Sequence, residues 1–72
     1  MNIQKKLASM TSTDSSDWSV LEGPASGTGV DYWLQGPNGM EAYCNMDQVY
    51  WTFTVHDRDG QEVAHWEGYE DS

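Results

Sequence analysis

The chain has 72 residues with 12 Asp and Glu against 3 Lys and Arg, a formal charge of -9 and a sequence pI of about 4.1. That size leaves room for one domain, and that charge excludes a nucleic-acid binder working through a basic face. Residues 7–72 carry Arg58 alone against all 12 acids, a net -11, yet 4 Trp, 4 Tyr and 1 Phe exclude a disordered acidic tail.

A domain this small is marginal unless it is stapled or its core is rich in large side chains, and here the aromatics take that part. Cys44 is the single cysteine. It makes no intrachain disulfide, and a lone thiol fits a reducing compartment, so the expected location is the cytoplasm. Lys5 and Lys6 precede only Leu7 and Ala8 before Ser9, too short for a signal peptide, and no long apolar run follows. Neither export nor membrane insertion is expected.

In chain order, Ile3, Leu7 and Met10 fall at the spacing of one helical face in a segment free of Gly and Pro, which predicts a short N-terminal helix. The polar run Thr11 to Asp17 offers the backbone many competing side-chain hydrogen bonds and reads as a linker. Residues 1–17 are thus a helix or flexible segment with its linker, and 18–72 a β-meander. Trp18 to Glu22 offers a first strand, closed by Gly23-Pro24, and Ala25 to Gly29 reads as a surface loop.

Two hairpins follow. In Gly36-Pro37-Asn38-Gly39, proline suits the second position of a type I turn and glycine the left-handed residue of a three-residue loop, so Gly36 pairs with Met40. That register sets Val30, Tyr32 and Leu34 opposite Met46, Cys44 and Ala42, an apolar face. The other face collects Asp31, Trp33, Gln35, Glu41, Tyr43 and Asn45, with Trp33 and Tyr43 a cross-strand pair. In the second hairpin, Asp59-Gly60 predicts a two-residue turn that sets Phe53 against Trp66 and Val55 against Ala64. Its outer face holds Thr52, Thr54 and His56 with Val63, His65 and Glu67. A three-residue loop would instead set Phe53 against His65. The expected fold is mainly β: a small antiparallel meander of four to five strands with a short N-terminal helix. Tyr32-Trp33 and Tyr50-Trp51 recur eighteen residues apart; a duplicated hairpin would produce this, but chance recurrence of strand-favouring residues is the reading adopted.

No catalytic or cofactor motif appears. His56, His65 and Cys44 lack the paired spacing of a zinc site. In Asp57-Arg58-Asp59-Gly60 the glycine comes too early for a calcium loop, and no bidentate Glu follows at the required distance. Paired carboxylates beside aromatics could serve a glycosidase, but a small sheet offers little room for the cleft that raises one acid's pKa. Cys44 points into the core as a small hydrophobe. The chain is therefore expected to be no enzyme and to need no cofactor or metal.

The anionic surface is the unusual feature. Alternate strand residues project to one face about 6.8 Å apart, twice the rise of a strand, so carboxylates on neighbouring strands approximate a sparse array of duplex phosphates. Asp57, Asp59 and Glu62 group around one hairpin tip, and Glu67, Glu70 and Asp71 form a second run at the chain end. Held together they repel one another, and a cationic partner relieves that repulsion. The rival reading is that acidity keeps a small protein soluble. Trp33 and Tyr43, rimmed by Asp31 and Glu41, form a candidate protein-binding hot spot if nothing covers them, and core if a helix or the first strand does.

In size, charge and the lack of any enzymatic motif, the whole chain resembles the small acidic phage-encoded inhibitors that include anti-CRISPR and other DNA-mimic proteins. The resemblance rests on no motif. It implies a stoichiometric inhibitor in the host cytoplasm that blocks the basic DNA- or RNA-binding channel of a nuclease or surveillance complex, without binding nucleic acid or membrane itself. The partner-binding residues expected on the chain's own charge and aromatic pattern are Asp31, Trp33, Glu41, Tyr43, Asp57, Asp59, Glu62, Glu67, Glu70 and Asp71. The alternative is a protein- or ligand-binding module that docks a peptide, sugar or second copy through its aromatic face.

Overall fold

The computed structural model describes residues 2–22 and 30–69. The chain opens with helix α1 (Ile3–Thr11) and continues through five strands, β1 (Ser19–Glu22), β2 (Val30–Gln35), β3 (Glu41–Asp47), β4 (Tyr50–His56) and β5 (Glu62–Tyr69). The strands form one antiparallel sheet in the order β1-β2-β3-β4-β5, each paired with its sequence neighbour. Gly23-Pro24 and the Ala25–Gly29 loop lie outside the described residues, as do Glu70 and Asp71.

Helix α1 begins where the Asn2 side chain accepts a hydrogen bond from the Lys5 backbone N–H at 3.0 Å, satisfying one of the orphan donors of the first turn. It ends at Ser12, whose left-handed backbone (φ 57°, ψ 45°) turns the chain away. The linker is not idle. Thr13 receives the Trp18 indole N–H at 2.9 Å, which fixes the large ring over the sheet. The anticipated helical face is the one that packs: Leu7 is fully buried, and Ile3 and Met10 lie against the same core.

Strand alternation supplies the other half of that core. Leu34 of β2, Ala42 and Cys44 of β3, and Trp51, Phe53 and Val55 of β4 are buried on the sheet face that the helix and Trp18 cover. Each has a strand neighbour of opposite character on the other face. Burial pushes the Cys44 thiol up to about 12, so it is a packed thiol at neutral pH. Gly36 is required by contact, because a Cβ there would come within 2.5 Å of the Trp18 ring.

The β2–β3 register is the anticipated one, Val30 facing Met46, Tyr32 facing Cys44 and Leu34 facing Ala42. Its turn differs from the type I expectation. Asn38 and Gly39 both have positive φ, 60° and 78°, and the Met40 N–H bonds the Pro37 carbonyl. Two left-handed central residues make a type I′ turn, and Asn-Gly is the pair that tolerates it best.

The second hairpin corrects one expectation and keeps another. Its loop has three residues, not two: the Asp57 N–H bonds Gln61 O at 2.9 Å and the Gly60 N–H bonds Asp57 O at 3.0 Å, with Gly60 left-handed (φ 84°). A three-residue loop alone would shift the register by one, yet Phe53 still faces Trp66 and Val55 faces Ala64. A bulge between Val55 and His56 absorbs the extra residue, so His56 faces Glu62 and not Val63. Without the bulge Phe53 would face His65. Apolar pairing thus overrides the register set by the turn.

Candidate functional site

The helix covers one face of the sheet and leaves the other open, and the open face carries the residues singled out by charge and aromaticity. Reading across the strands, one row runs Trp33, Tyr43, Thr54, His65. The next, toward the β2–β3 and β4–β5 tips, runs Gln35, Glu41, His56, Glu62. On the other side lie Asp31, Asn45, Thr52 and Glu67, and beyond them Asp47, Tyr50 and Tyr69. Asp31, Glu41, Asp47, Glu62 and Glu67 therefore occupy positions of the open face, and no Lys or Arg stands among these rows.

The cations are elsewhere. Lys5 and Lys6 are on α1, and the Lys6 ammonium sits 3.7 Å from the centroid of the Trp66 ring on the covered face. Arg58 is at the β4–β5 tip, its Cβ and Nε against Gly39 of the neighbouring tip. Among the described residues, none of the three makes an ion pair with a carboxylate; His65 Nε2 lies 2.8 Å from Glu67.

Trp33 is 44% exposed and its ring lies 4.5 Å, centroid to centroid, from that of Tyr43. Among the described residues no helix covers them. The Tyr43 hydroxyl donates to Asp31 Oδ1 at 2.8 Å and the Asn45 amide donates to the same oxygen. The Asn45 and Tyr43 hydrogen bonds hold the Asp31 carboxyl below its ordinary range, and the bond to the Asp31 carboxylate pushes the Tyr43 phenol up. At the opposite edge, His65 and the Tyr50 hydroxyl, the latter at 2.7 Å, bond Glu67 and lower its pKa as well. Both carboxylates are thus held charged by neutral or titratable donors, not cancelled by a fixed cation.

At the tip end the β2–β3 and β4–β5 turns lie side by side and enclose a groove of about 530 Å³. Trp33, Tyr43, Glu41, Thr54, His56, Asp57 and Arg58 contribute to its walls. Asp57 shapes the turn as well, since its Oδ1 accepts from the backbone N–H groups of Asp59 at 2.9 Å and Gln61 at 3.0 Å.

Of the expected partner-binding residues, the fold brings Trp33, Tyr43, Glu41 and Asp57 to this groove, with Asp59 on the same tip and Glu62 opposite His56. Asp31 and Glu67 stand apart from it, in one row with Asn45 and Thr52 between them. Thr54, His56 and Arg58 do not stand out as a group in the sequence. Setting Tyr43 against Thr54 would find the first two, since it places Glu41 opposite His56.

Among the described residues no group of three His, Cys, Asp or Glu is placed to hold a metal ion, and no helix is long and apolar enough to cross a membrane. No family model, no curated protein and no solved structure matches the chain.

Proposed function

We propose that this protein is a non-enzymatic inhibitor whose open sheet face occupies a basic surface of a protein that handles nucleic acid. The observation that carries the reading is the segregation of charge: five carboxylate positions and no Lys or Arg in the open-face rows, with both lysines on the helix of the covered side. Glu41 and Glu62 stand in one row with His56 between them, about 10 Å apart or twice the strand spacing, and Asp31 and Asp47 lie diagonally across β2 and β3, so the face carries a sparse array with the sign of duplex phosphates. Such a face steers a cationic groove toward it and competes with nucleic acid there, the mode of action of the small acidic phage-encoded inhibitors that the chain resembles.

A pull-down of the tagged protein from bacterial lysate tests this, run with and without added duplex DNA and at low and raised salt. Captured proteins that bind nucleic acid, displaced by the duplex and by salt, are the expected result. Capture indifferent to both would overturn it. Reversing the exposed Glu41, Asp59 and Glu62 to Lys weakens the same capture while the fold, followed by circular dichroism, persists.

A second reading is favoured by the exposure of Trp33 against Tyr43: a binding module that docks a peptide or sugar on its aromatic face, its acidity serving solubility. Its signature is the inverse, a loss of binding on truncating Trp33 with little response to salt.

A further inference from the structure

We infer that the groove between the two hairpin tips is an arginine-binding site, which seats one guanidinium of the basic partner against the Trp33–Tyr43 rings with Glu41 and Asp57 as its counter-charges. This rests on the proposed function and names the side chain which that face selects.

The geometry suits a flat cation better than a compact one. The Trp33 and Tyr43 rings are in contact, 4.5 Å apart, and half-expose an aromatic surface that forms one wall. A guanidinium stacks on such a wall, is weakly hydrated, and still directs its rim of N–H donors sideways, whereas an ammonium keeps a tight hydration shell. Two carboxylates share the groove with that wall. Glu41 lines the groove beside the ring pair, exposed and with no hydrogen-bond or ion-pair partner among the described residues. Asp57 lines it from the β4–β5 turn. Its Oδ1 is taken by the two turn N–H groups, which fixes the carboxylate and leaves its second oxygen for a ligand.

The resident cation does not fill this role. Arg58 belongs to the groove wall, but its Cβ and Nε lie against Gly39, and no carboxylate is within ion-pair distance of it among the described residues. Glu41 and Asp57 remain uncompensated by contact, and Glu62 beyond His56 and Asp59 on the tip add to the same negative field. The groove of about 530 Å³ is large enough for one long side chain and too small for a folded element.

The test uses the full chain with two probes of equal length and charge, an oligoarginine and an oligolysine peptide, titrated at low salt and followed by the indole N–H resonances. Trp33→Phe assigns the one that belongs to the groove. Expected is binding of both peptides, oligoarginine about threefold tighter or more, with the Trp33 indole shifting only for oligoarginine. Glu41→Gln, an exposed and nearly isosteric change, reduces that preference, and Trp33→Leu brings the two peptides to equal affinity. Equal affinities in the native protein with an unmoved Trp33 indole would overturn the arginine site and leave the acidic face standing. Binding of neither peptide overturns the site and the proposed function together.

Discussion

Tyr32-Trp33 on β2 and Tyr50-Trp51 on β4 are the same dipeptide with opposite fates. On β2 the even positions face the helix, so Tyr32 turns toward the core and Trp33 outward. On β4 the odd positions face the helix, so Trp51 goes in and Tyr50 out. Trp51 is 5% exposed and Trp33 44%. The inward members stack on each other, Tyr32 over Trp51 at 6.4 Å, while the outward ones meet other partners, Trp33 with Tyr43 and Tyr50 with Tyr69. A duplicated hairpin would have kept the phase. Identical residues thus serve packing in one strand and present a surface in the other, and strand phase alone decides which.

The strongest way to break that contrast is to truncate both tryptophans. Trp51→Ala removes a buried ring that contacts Tyr32 and Phe53 and is expected to cost about 3–5 kcal/mol. That approaches the whole stability of so small a domain, so the variant should be largely unfolded by circular dichroism. Trp33→Ala loses a half-exposed cross-strand pair, and its urea midpoint should report about 1 kcal/mol or less. Similar losses in the two variants would mean that Trp33 is core after all, and the open face would lose its standing as a binding surface.

A smaller effect sharpens the description of the covered side. Gly36→Ala places a methyl within 2.5 Å of the Trp18 ring, which the Thr13 hydrogen bond and the core hold in place. The expected cost is about 1–3 kcal/mol, measured by urea unfolding, with the Trp18 indole N–H resonance as a local probe. An unchanged midpoint would show that Trp18 is free to slide, and that the seal over this end of the core is loose.

Much of this is legible in the residues. The apolar spacing of Ile3, Leu7 and Met10 marks the helix face, and the alternation in β2 and β3 together with Gly36-Pro37-Asn38-Gly39 yields the first hairpin in register. The second hairpin is legible in its body but not in its tip, because Asp59-Gly60 signals a turn equally well as a two-residue loop or as the end of a three-residue one. Only the bulge after Val55 makes the longer loop compatible with apolar pairing. The β3–β4 turn carries no signal. Its left-handed residue is Gln48 (φ 60°), which has no glycine's freedom to advertise it, so nothing local announces which residues of β3 and β4 face each other. The groove is built on that pairing. Trp33, Tyr43 and Glu41 are visible one hairpin at a time, but their meeting with His56, Asp57 and Arg58 depends on a contact that no local pattern encodes.

The smallest expected effect concerns the open face's response to acid. Asp31 and Glu67 have folded-state pKa values below their ordinary ones, lowered by the Asn45 and Tyr43 and by the His65 and Tyr50 hydrogen bonds respectively. A carboxyl lowered on folding stabilises the native state above its unfolded pKa, about 4, and loses that contribution as pH falls through the folded value. Acid also discharges the molecule, whose formal charge of -9 repels itself, and this acts in the opposite sense. Two single substitutions separate the terms, since Asp31→Asn and Glu62→Gln each remove one negative charge from this face. Glu62→Gln should leave the urea midpoint at pH 7 unchanged or raise it slightly, because only repulsion is relieved. Asp31→Asn should lower it, because the oxygen that accepts from Tyr43 and Asn45 is no longer charged, and the deficit should shrink as pH falls below the unfolded carboxyl value and through the lowered native one, where the native carboxylate is itself being protonated. If the two variants move together at pH 7, those bonds contribute nothing beyond charge, and the open face is held by backbone pairing alone.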